Sequence, residues 1–341
     1  MRIWSGLRTE RVSGVIWEEN GMTLERILIT GATGFAGKWL ARELALAVPE
    51  AKLFGSSHHS TDSADLPSGF TLLKADLANA GEMAEVVGTA KPDAVFHLAG
   101  MASSYGSDRE KIFLANVTGT ETLLRLLSGS SHLCRVLLAS SGYVYGPTGE
   151  GNPARESAAL HPLGDYAESK VEMERISRPF ADSGALSLTV VRAFNHTGPE
   201  QKPHLAIPTF ARQIARIERG LESPIVRHGN LMSRRDFLHV RDVTRAYRQL
   251  ILEAEPVGYR IVNVSSGVPV IMNDALHLLL DMALVPIETF EDADRLRPFD
   301  LPESVGDSTF LRELVDWKPE VSFEKTLAET LEWWRQQPDL T

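Results

Sequence analysis

The chain has 341 residues, with 35 Lys and Arg against 45 Asp and Glu, a formal net charge of −10, and 43% hydrophobic residues. This length suits two domains or one large α/β unit, and the apolar fraction is too high for a disordered protein. The acidic balance predicts no binding to nucleic acid, because few cations remain to neutralise phosphates, although a small phosphorylated ligand needs only local cations.

The single cysteine, Cys134, excludes an internal disulfide and a cysteine-based metal site. The histidines are scattered without carboxylates at ligand spacing, so no metal is expected. The longest apolar stretch, residues 275–287, is interrupted by His277 and Asp281, which is too short for a membrane span. Residues 1–21 are polar and lack the apolar centre of a signal peptide. We therefore expect a cytoplasmic protein without a membrane partner, and an N-terminal extension over residues 1–21.

Apolar runs and helical patterns alternate along the first half of the chain. A helical pattern follows the first glycine-rich turn, and residues 56–69 read as a loop. The predicted strands cover residues 25–30, 52–54, 71–73, 94–98, 135–139 and 188–192, and further helices cover 115–127 and 166–180. This alternation predicts an α/β fold, a Rossmann-like doubly wound parallel sheet with helices on both faces.

The regular alternation of strands and helices ends after Asn195, where proline and glycine residues interrupt the pattern. One more strand is predicted over residues 259–264 and an amphipathic helix over 323–334. We predict a dinucleotide-binding domain formed by residues 22–195 and about 235–264. A smaller, irregular C-terminal domain would comprise residues 196–234 and about 265–341. Because no long linker separates the halves, we expect the chain to cross between the two domains.

Three glycines at a regular spacing lie between the first strand and the first helix. Such glycines permit a tight turn and close approach of the backbone to a pyrophosphate, and the helix N-terminus offers unpaired N–H groups. An ordinary strand–helix turn is the alternative. The cofactor-binding residues predicted in this segment are Gly31, Thr33, Gly34, Phe35, Ala36 and Gly37.

The spacing G-x-x-G-x-x-G resembles that of the extended short-chain dehydrogenase/reductase superfamily, in its NAD-dependent epimerase/dehydratase family. The resemblance implies that Asp76, with Leu77, holds the adenine amino group, a helix N-cap being the alternative. The segment that ends the fourth strand matches the turn that lies along the cofactor. It contributes the predicted contacts Leu98, Ala99 and Gly100, whereas His97 is expected to be structural.

Tyr166 and Lys170 are four residues apart, which places both on one face of a helix. A lysine ammonium beside a phenol lowers the tyrosine pKa from about 10, so that the hydroxyl can exchange a proton with a sugar oxygen. The resemblance implies that Ser141 supplies the third catalytic hydroxyl, with Ser140 as the structural alternative. Tyr166 and Lys170 are also expected to contact the cofactor.

The same resemblance implies substrate contacts from residues near the catalytic serine. These are Ser103, Ser141, Gly142 and Tyr143. The 4,6-dehydratases of the superfamily carry an acid two places after the catalytic hydroxyl. Gly142 and Tyr143 follow Ser141 here, so dehydratase activity is not expected.

Motifs in the second half resemble the substrate side of sugar-nucleotide enzymes. The resemblance implies that Asn195, in R-x-F-N-x-x-G-P, approaches the substrate diphosphate. It implies the same of Arg235, in R-D-F-x-x-V-x-D, and of Arg297, which precedes the pair Gly306-Asp307. A planar guanidinium binds phosphate oxygens at two points, whereas a surface ion pair is the alternative for each arginine.

Across residues 22–335 the chain is most similar to the GDP-6-deoxy-4-keto-mannose reductases and their GDP-mannose dehydratase relatives. The resemblance implies a nucleotide-diphosphate sugar as substrate, with a GDP sugar favoured, bound by the smaller domain. It also implies reduction of a 4-keto group and a homodimer formed through the helices over 115–127 and 166–180. A 4-epimerase with tightly bound NAD and a non-catalytic dinucleotide sensor are the alternatives.

No Asp or Glu ends the second predicted strand, where an NAD enzyme usually binds the ribose 2′-hydroxyl. The residues there are Ser56, Ser57, His58 and His59. NADP(H) is therefore favoured over NAD(H), with His58 as a candidate contact for the 2′-phosphate.

Overall fold

The computed structural model describes residues 24–58, 64–101, 108–130, 132–296 and 300–338. The predictions for residues 1–21, Ser103 and Arg297 lie outside the described residues.

The strands and helices follow one another in the order expected of an α/β chain. The described strands are β1 (Arg26–Thr30), β2 (Lys52–Ser57), β3 (Thr71–Lys74), β4 (Ala94–His97), β5 (Cys134–Ala139), β6 (Leu186–Ala193), β7 (Asn195–Thr197), β8 (Ile225–His228), β9 (Arg234–His239), β10 (Tyr259–Val264), β11 (Pro269–Ile271), β12 (Glu288–Glu291) and β13 (Glu303–Ser304). The described α-helices are α1 (Phe35–Ala47), α2 (Ala80–Ala90), α3 (Arg109–Phe113), α4 (Gly119–Ser128), α5 (Asp165–Asp182), α6 (Ala206–Glu218), α7 (Val240–Leu252), α8 (Met272–Asp281), α9 (Thr309–Leu314) and α10 (Phe323–Gln336). A π-helical turn (Leu114–Thr118) joins α3 to α4.

A parallel sheet of seven strands forms the centre of the molecule, in the order β10-β6-β5-β4-β1-β2-β3. Alternate residues of β1 face opposite layers. Ile27 and Ile29 pack with α1 and α7, whereas Leu28 packs with α2, α4 and α5. This confirms the predicted doubly wound fold. The strand order reverses between β1 and β4, which opens a crevice at the carboxyl ends of these strands.

Two predicted boundaries were wrong. Strand β2 runs to Ser57, where Ser56 pairs with Thr30 and Ser57 with Lys74, so the predicted loop over residues 56–69 begins too early. Both serines are buried because neighbouring strands flank them. The predicted helix over residues 115–127 is the later part of a longer helical segment that begins at α3.

The second half of the chain is more ordered than its sequence pattern indicates. A four-stranded sheet contains β11, β9 and β13, with β7 also paired to β9, and β8 pairs with β12. Helices α6, α8 and α10 share a separate apolar core. The division into two domains stays a prediction. Within the segment 235–264, α7 packs on the large sheet, whereas β9 belongs to the small sheet.

Neither a membrane-spanning helix nor a metal-binding group of side chains occurs among the described residues. No described helix is long and apolar enough to cross a membrane. In the same part of the chain, no three His, Cys, Asp or Glu side chains are grouped so that they could hold a metal ion.

Candidate active site

The turn between β1 and α1 is built so tightly that two of its glycines cannot carry a side chain. Gly31 has φ +71°, and its N–H and that of Ala32 donate to the Ser56 carbonyl at 2.9 and 3.1 Å. A Cβ added to Gly37 would lie 2.2 Å from the Gly31 carbonyl oxygen. The first turn of α1 therefore rests directly on the glycine-rich loop.

This loop also touches the turn that follows β4. A Cβ at Gly31 would lie 2.9 Å from the Ala99 backbone nitrogen, next to Leu98 and Gly100. The N–H groups at the start of α1, at Phe35 and Ala36, lack partners within the helix, and no acidic side chain occupies its first turn. The backbone cradle and the open helix N-terminus fit a dinucleotide pyrophosphate.

The predicted adenosine contacts lie at the ends of β2 and β3. Thr33 Oγ1 and Ser57 Oγ are 2.8 Å apart, and His58 Nε2 is 3.6 Å from Asp76 Oδ2. Asp76 accepts from the backbone N–H of Ala78 at 2.9 Å. The N-cap of α2 is Asn79, so the alternative role of Asp76 as an N-cap is wrong.

Leu77 packs against the start of α4. A Cβ at Gly119 would lie 2.5 Å from Leu77 Cγ, so this leucine fills the space where α4 approaches β3. Its side chain is buried. The structure thus places Leu77 as a packing contact behind Asp76.

The three predicted catalytic residues are brought together at the carboxyl end of β5. Tyr166 lies in the first turn of α5, and Lys170 Nζ lies 5.8 Å from the centre of its ring. Lys170 is buried and donates to the Ala139 carbonyl at 2.8 Å. Ser141, two residues beyond Ala139, forms a hydrogen bond with the Tyr166 side chain.

The pKa of Tyr166 is raised, so the expected net lowering beside Lys170 was wrong. Burial raises the pKa of Tyr166 to about 12, which the hydrogen bond from Ser141 opposes and the nearby Tyr143 reinforces. Burial also lowers the pKa of Lys170 to about 8, although Glu174 acts in the opposite direction. Desolvation outweighs charge pairing because both groups are enclosed. At neutral pH Tyr166 therefore carries its proton.

Ser140 points into a buried polar network behind the triad. Its hydroxyl donates to Glu174 Oε1 at 2.5 Å, and Glu174 in turn accepts from Arg192 at 2.6 Å. Arg192 also donates to the Tyr145 hydroxyl at 2.9 Å. These contacts give Ser140 and Arg192 structural roles, and they fix α5 against β5 and β6.

Asn116 was not singled out by the sequence analysis. It lies in the π-helical turn, where its amide accepts from the Met101 N–H at 2.8 Å and donates to the Met101 carbonyl at 3.1 Å. It also donates to Ser169 Oγ at 2.9 Å. A Cβ at Gly100 would lie 2.6 Å from Asn116 Oδ1 and 3.7 Å from Lys170 Nζ. Asn116 thus supports the site beside Lys170. No local sequence signal marks a π-turn, although such turns often occur at functional sites.

His97 is enclosed between two threonines. Its Nδ1 is 2.7 Å from Thr30 Oγ1 and its Nε2 is 2.9 Å from Thr120 Oγ1. Burial, assisted by the charge of Lys170, lowers the pKa of His97 to about 3. The imidazole is therefore neutral and links β1, β4 and α4.

Among the described residues, three predicted substrate contacts lie beside Phe194 or the triad, namely Gly142, Tyr143 and Asn195. Gly142 packs on Phe194, since a Cβ there would lie 2.8 Å from Cδ1 of that ring, and Tyr143 lies near enough to influence the pKa of Tyr166. The next residue after Phe194, Asn195, is half-buried in β7 and pairs with Phe237 of β9.

Arg235 lies on β9, on the sheet that β7 joins. It is buried and donates to the Leu301 carbonyl at 2.7 Å and to Asp300 Oδ1 at 2.6 Å. Its guanidinium is therefore held in one orientation by acceptors from the segment just after residues 297–299. The structure does not bring Arg235 into contact with the triad by any hydrogen bond or ion pair among the described residues.

Comparison with known proteins identifies the family of this chain. The NAD dependent epimerase/dehydratase family matches residues 27–265. The chain is 32% identical over 316 residues to the GDP-6-deoxy-D-mannose reductase of Pseudomonas aeruginosa, covering 92% of this chain and 98% of the relative.

Solved structures show the same likeness. The RMD protein of Pseudomonas aeruginosa, complexed with NADPH, superposes with a TM-score of 0.77 at 31% identity, over 91% of this chain and 99% of that one. The UDP-glucose 4-epimerase of Thermus thermophilus, complexed with NAD, superposes with a TM-score of 0.80 at 25% identity, with the same coverage. The chain, with its NAD(P)-binding Rossmann fold, belongs to the NAD dependent epimerase/dehydratase family.

Proposed function

We propose that this protein reduces the 4-keto group of a nucleotide-linked 6-deoxy-4-keto-hexose with NAD(P)H, converting GDP-4-keto-6-deoxy-mannose to GDP-rhamnose. The observation that carries the proposal is the grouping of Ser141, Tyr166 and Lys170 at the end of β5, next to a backbone cradle for a dinucleotide. Reduction of a ketone needs a proton donor, and a phenol with a pKa of about 12 keeps its proton throughout the neutral range. Similarity to a GDP-6-deoxy-D-mannose reductase supports the choice of substrate.

Each residue of the triad has a distinct task in this reaction. The bound dinucleotide supplies the hydride for C4 of the sugar. Ser141 Oγ donates a hydrogen bond to the C4 oxygen, and Tyr166 Oη gives that oxygen its proton. Lys170, still largely cationic at pH 7 with a pKa of about 8, stabilises the phenolate that remains.

The nucleotide sugar is proposed to bind along the wall formed by β7 and β9. Asn195, Arg235 and Arg297 would contact the diphosphate, and Ser103, Gly142 and Tyr143 would contact the sugar. Arg235 is oriented in advance by Asp300 and the Leu301 carbonyl, which lowers the entropy lost when a guanidinium binds phosphate.

NADP(H) is the proposed cofactor in preference to NAD(H). The end of β2 carries hydroxyls and His58 and no carboxylate, and the similar protein RMD is complexed with NADPH. Thr33, Ser57 and His58 are the side chains at that end of the cradle. We also propose a cytoplasmic homodimer whose interface is formed by α4 and α5 of each subunit.

A 4-epimerase that retains its NAD is the second candidate. It is favoured by the superposition on UDP-glucose 4-epimerase complexed with NAD. Both reactions use the same triad, so the fate of the cofactor separates them. A non-catalytic dinucleotide sensor would bind cofactor without turnover.

The test uses the purified full chain with NADPH and GDP-4-keto-6-deoxy-mannose. We expect NADPH to be consumed mole for mole with substrate, and Tyr166→Phe to lower turnover by about 10²–10⁴-fold while NADPH still binds. A protein that is isolated with nicotinamide bound and interconverts C4 epimers without net consumption would be the epimerase. Turnover by Tyr166→Phe at the native rate would refute the assignment of the acid.

A further inference from the structure

The turn that follows β7 is fastened to helix α1 by an ion pair centred on Glu200. Arg42 donates from Nη1 to Oε1 of Glu200 at 2.5 Å and from Nη2 to Oε2 at 3.2 Å. Lys38 Nζ lies 3.3 Å from Oε2, and the Lys38 and Glu200 side chains are each 18% exposed. A two-point guanidinium contact reinforced by a second cation is more directional than a solvent-exposed ion pair.

Glu200 makes this contact from a strained backbone. Its φ is +73°, in the left-handed region, which only glycine enters without penalty. In the described part of the chain, the other non-glycine residue with positive φ is Lys91, which ends helix α2. A strained residue persists when its surroundings hold it in place, and here the cations of α1 do so.

Two further contacts join the same pair of segments. Trp39 Nε1 donates to the Pro199 carbonyl at 3.2 Å, and the Phe35 and His196 rings stack with centroids 6.0 Å apart. Positions 35, 38, 39 and 42 form one face of a helix, so α1 presents a continuous stripe to residues 196–200. The N-terminus of this helix forms part of the dinucleotide cradle.

The turn itself is tied together internally. Thr197 Oγ1 donates to Gln201 Oε1 at 2.7 Å, and Gln201 Nε2 donates to the His196 carbonyl at 3.1 Å. These bonds join residues 196, 197 and 201, and Asn195, the first residue of β7, directly precedes them. A displacement at residue 200 would reach the substrate side of the crevice.

We propose that Glu200 is a positioning residue that holds the turn over residues 195–201 in register with the dinucleotide cradle. Through it, helix α1 aligns the nucleotide sugar with the cofactor. The identity of the sugar ligand in this inference rests on the proposed function, whereas the clamp between α1 and the turn does not.

The decisive variant is Glu200→Gly, which removes the carboxylate and relieves the left-handed strain. Because glycine accepts this φ, the fold is expected to keep its melting temperature. We expect KM for the nucleotide sugar to rise about tenfold or more, with Kd for NADPH changed by less than about twofold. Glu200→Gln, which keeps the shape and loses the charge, should give an intermediate KM. Glu222→Gln, which breaks the 2.6 Å contact between Arg216 and Glu222 elsewhere in the chain, is the matched control.

A second measurement does not depend on turnover. Hydrogen exchange of amides 195–201 should slow when NADPH binds to the native protein, and this slowing should vanish in Glu200→Gly. If the native protein reduces no nucleotide sugar, the proposed function fails. The exchange measurement still tests whether Glu200 couples α1 to the turn over residues 195–201. Native KM and native NADPH-dependent protection in Glu200→Gly would overturn the inference. A parallel loss of melting temperature and NADPH affinity would also overturn it, by showing a merely structural role.

Discussion

Substitution of Gly37 by alanine tests whether the dinucleotide cradle depends on backbone contact. The added Cβ would lie 2.2 Å from the Gly31 carbonyl oxygen and 2.9 Å from two backbone atoms of Ala32. Ordinary contacts begin at about 3.4 Å, so the helix and the loop must separate by roughly 1.2 Å. Helix α1 cannot yield freely, because Leu40 and Leu44 are fully buried in the core. Overpacking of this kind costs about 1–3 kcal/mol of stability.

The same displacement moves the N–H groups that would bind the pyrophosphate. Each charge-assisted hydrogen bond lost costs about 1.5–3 kcal/mol, so Kd for NADPH should rise about tenfold to a hundredfold. Fluorescence titration with NADPH and urea unfolding measure the two effects. Gly88→Ala is the control, since Gly88 lies in α2 with nothing within 4 Å of an added Cβ, and it should stabilise by about 0.5–1 kcal/mol. If Gly37→Ala binds NADPH and unfolds like the native protein, the cradle argument is refuted.

Four other outcomes are expected. Because the pKa of Lys170 is about 8 instead of 10.5, turnover should decline above about pH 8, and Lys170→Ala should lower the rate and lose that limb of the pH–rate profile. The pKa of His97 is about 3 in the folded protein and 6.5 in the unfolded chain, so the unfolded chain binds more protons between these pH values. The free energy of unfolding, measured with urea, should therefore fall as the pH drops through this window, by up to about 1.4 kcal/mol per pH unit. His97→Gln should show a flatter dependence on pH. Arg235→Ala should raise KM for the nucleotide sugar about tenfold without changing Kd for the dinucleotide, whereas a purely structural ion pair would leave KM unchanged. Removal of residues 1–21 should leave the unfolding curve and turnover unchanged, and loss of either would show that this segment contributes to the fold.

Much of the fold could be predicted because its signals are local. A buried strand of a parallel sheet is a short apolar run, as in β1, and the strand-to-helix turn is marked by glycines such as Gly31 and Gly37. The small strands of the second half left no such signal. β7, β11 and β13 have two or three residues each, too few for an alternating pattern, and their partners are distant in sequence.

The candidate site divides in the same way. The Tyr166–Lys170 spacing is a property of a single helix, so the sequence alone indicated that these side chains share a face. The direction of the Tyr166 pKa shift was not accessible, because desolvation depends on which elements close over the phenol. The role of Asn116 could not be predicted for a similar reason, since it depends on a π-turn and on contacts with Met101 and Ser169.

The sequence by itself determined the alternating strands and helices of the first half, the glycine-rich turn and the spacing of the candidate catalytic side chains. These depend on interactions between residues that are near one another in the chain. Only the tertiary structure decided which groups are desolvated, that Asp300 holds Arg235, and that Glu200 is held by Lys38 and by Arg42, the latter 158 residues away in the chain. Burial and long-range charge pairing arise when distant segments pack, and no local pattern of residues specifies them.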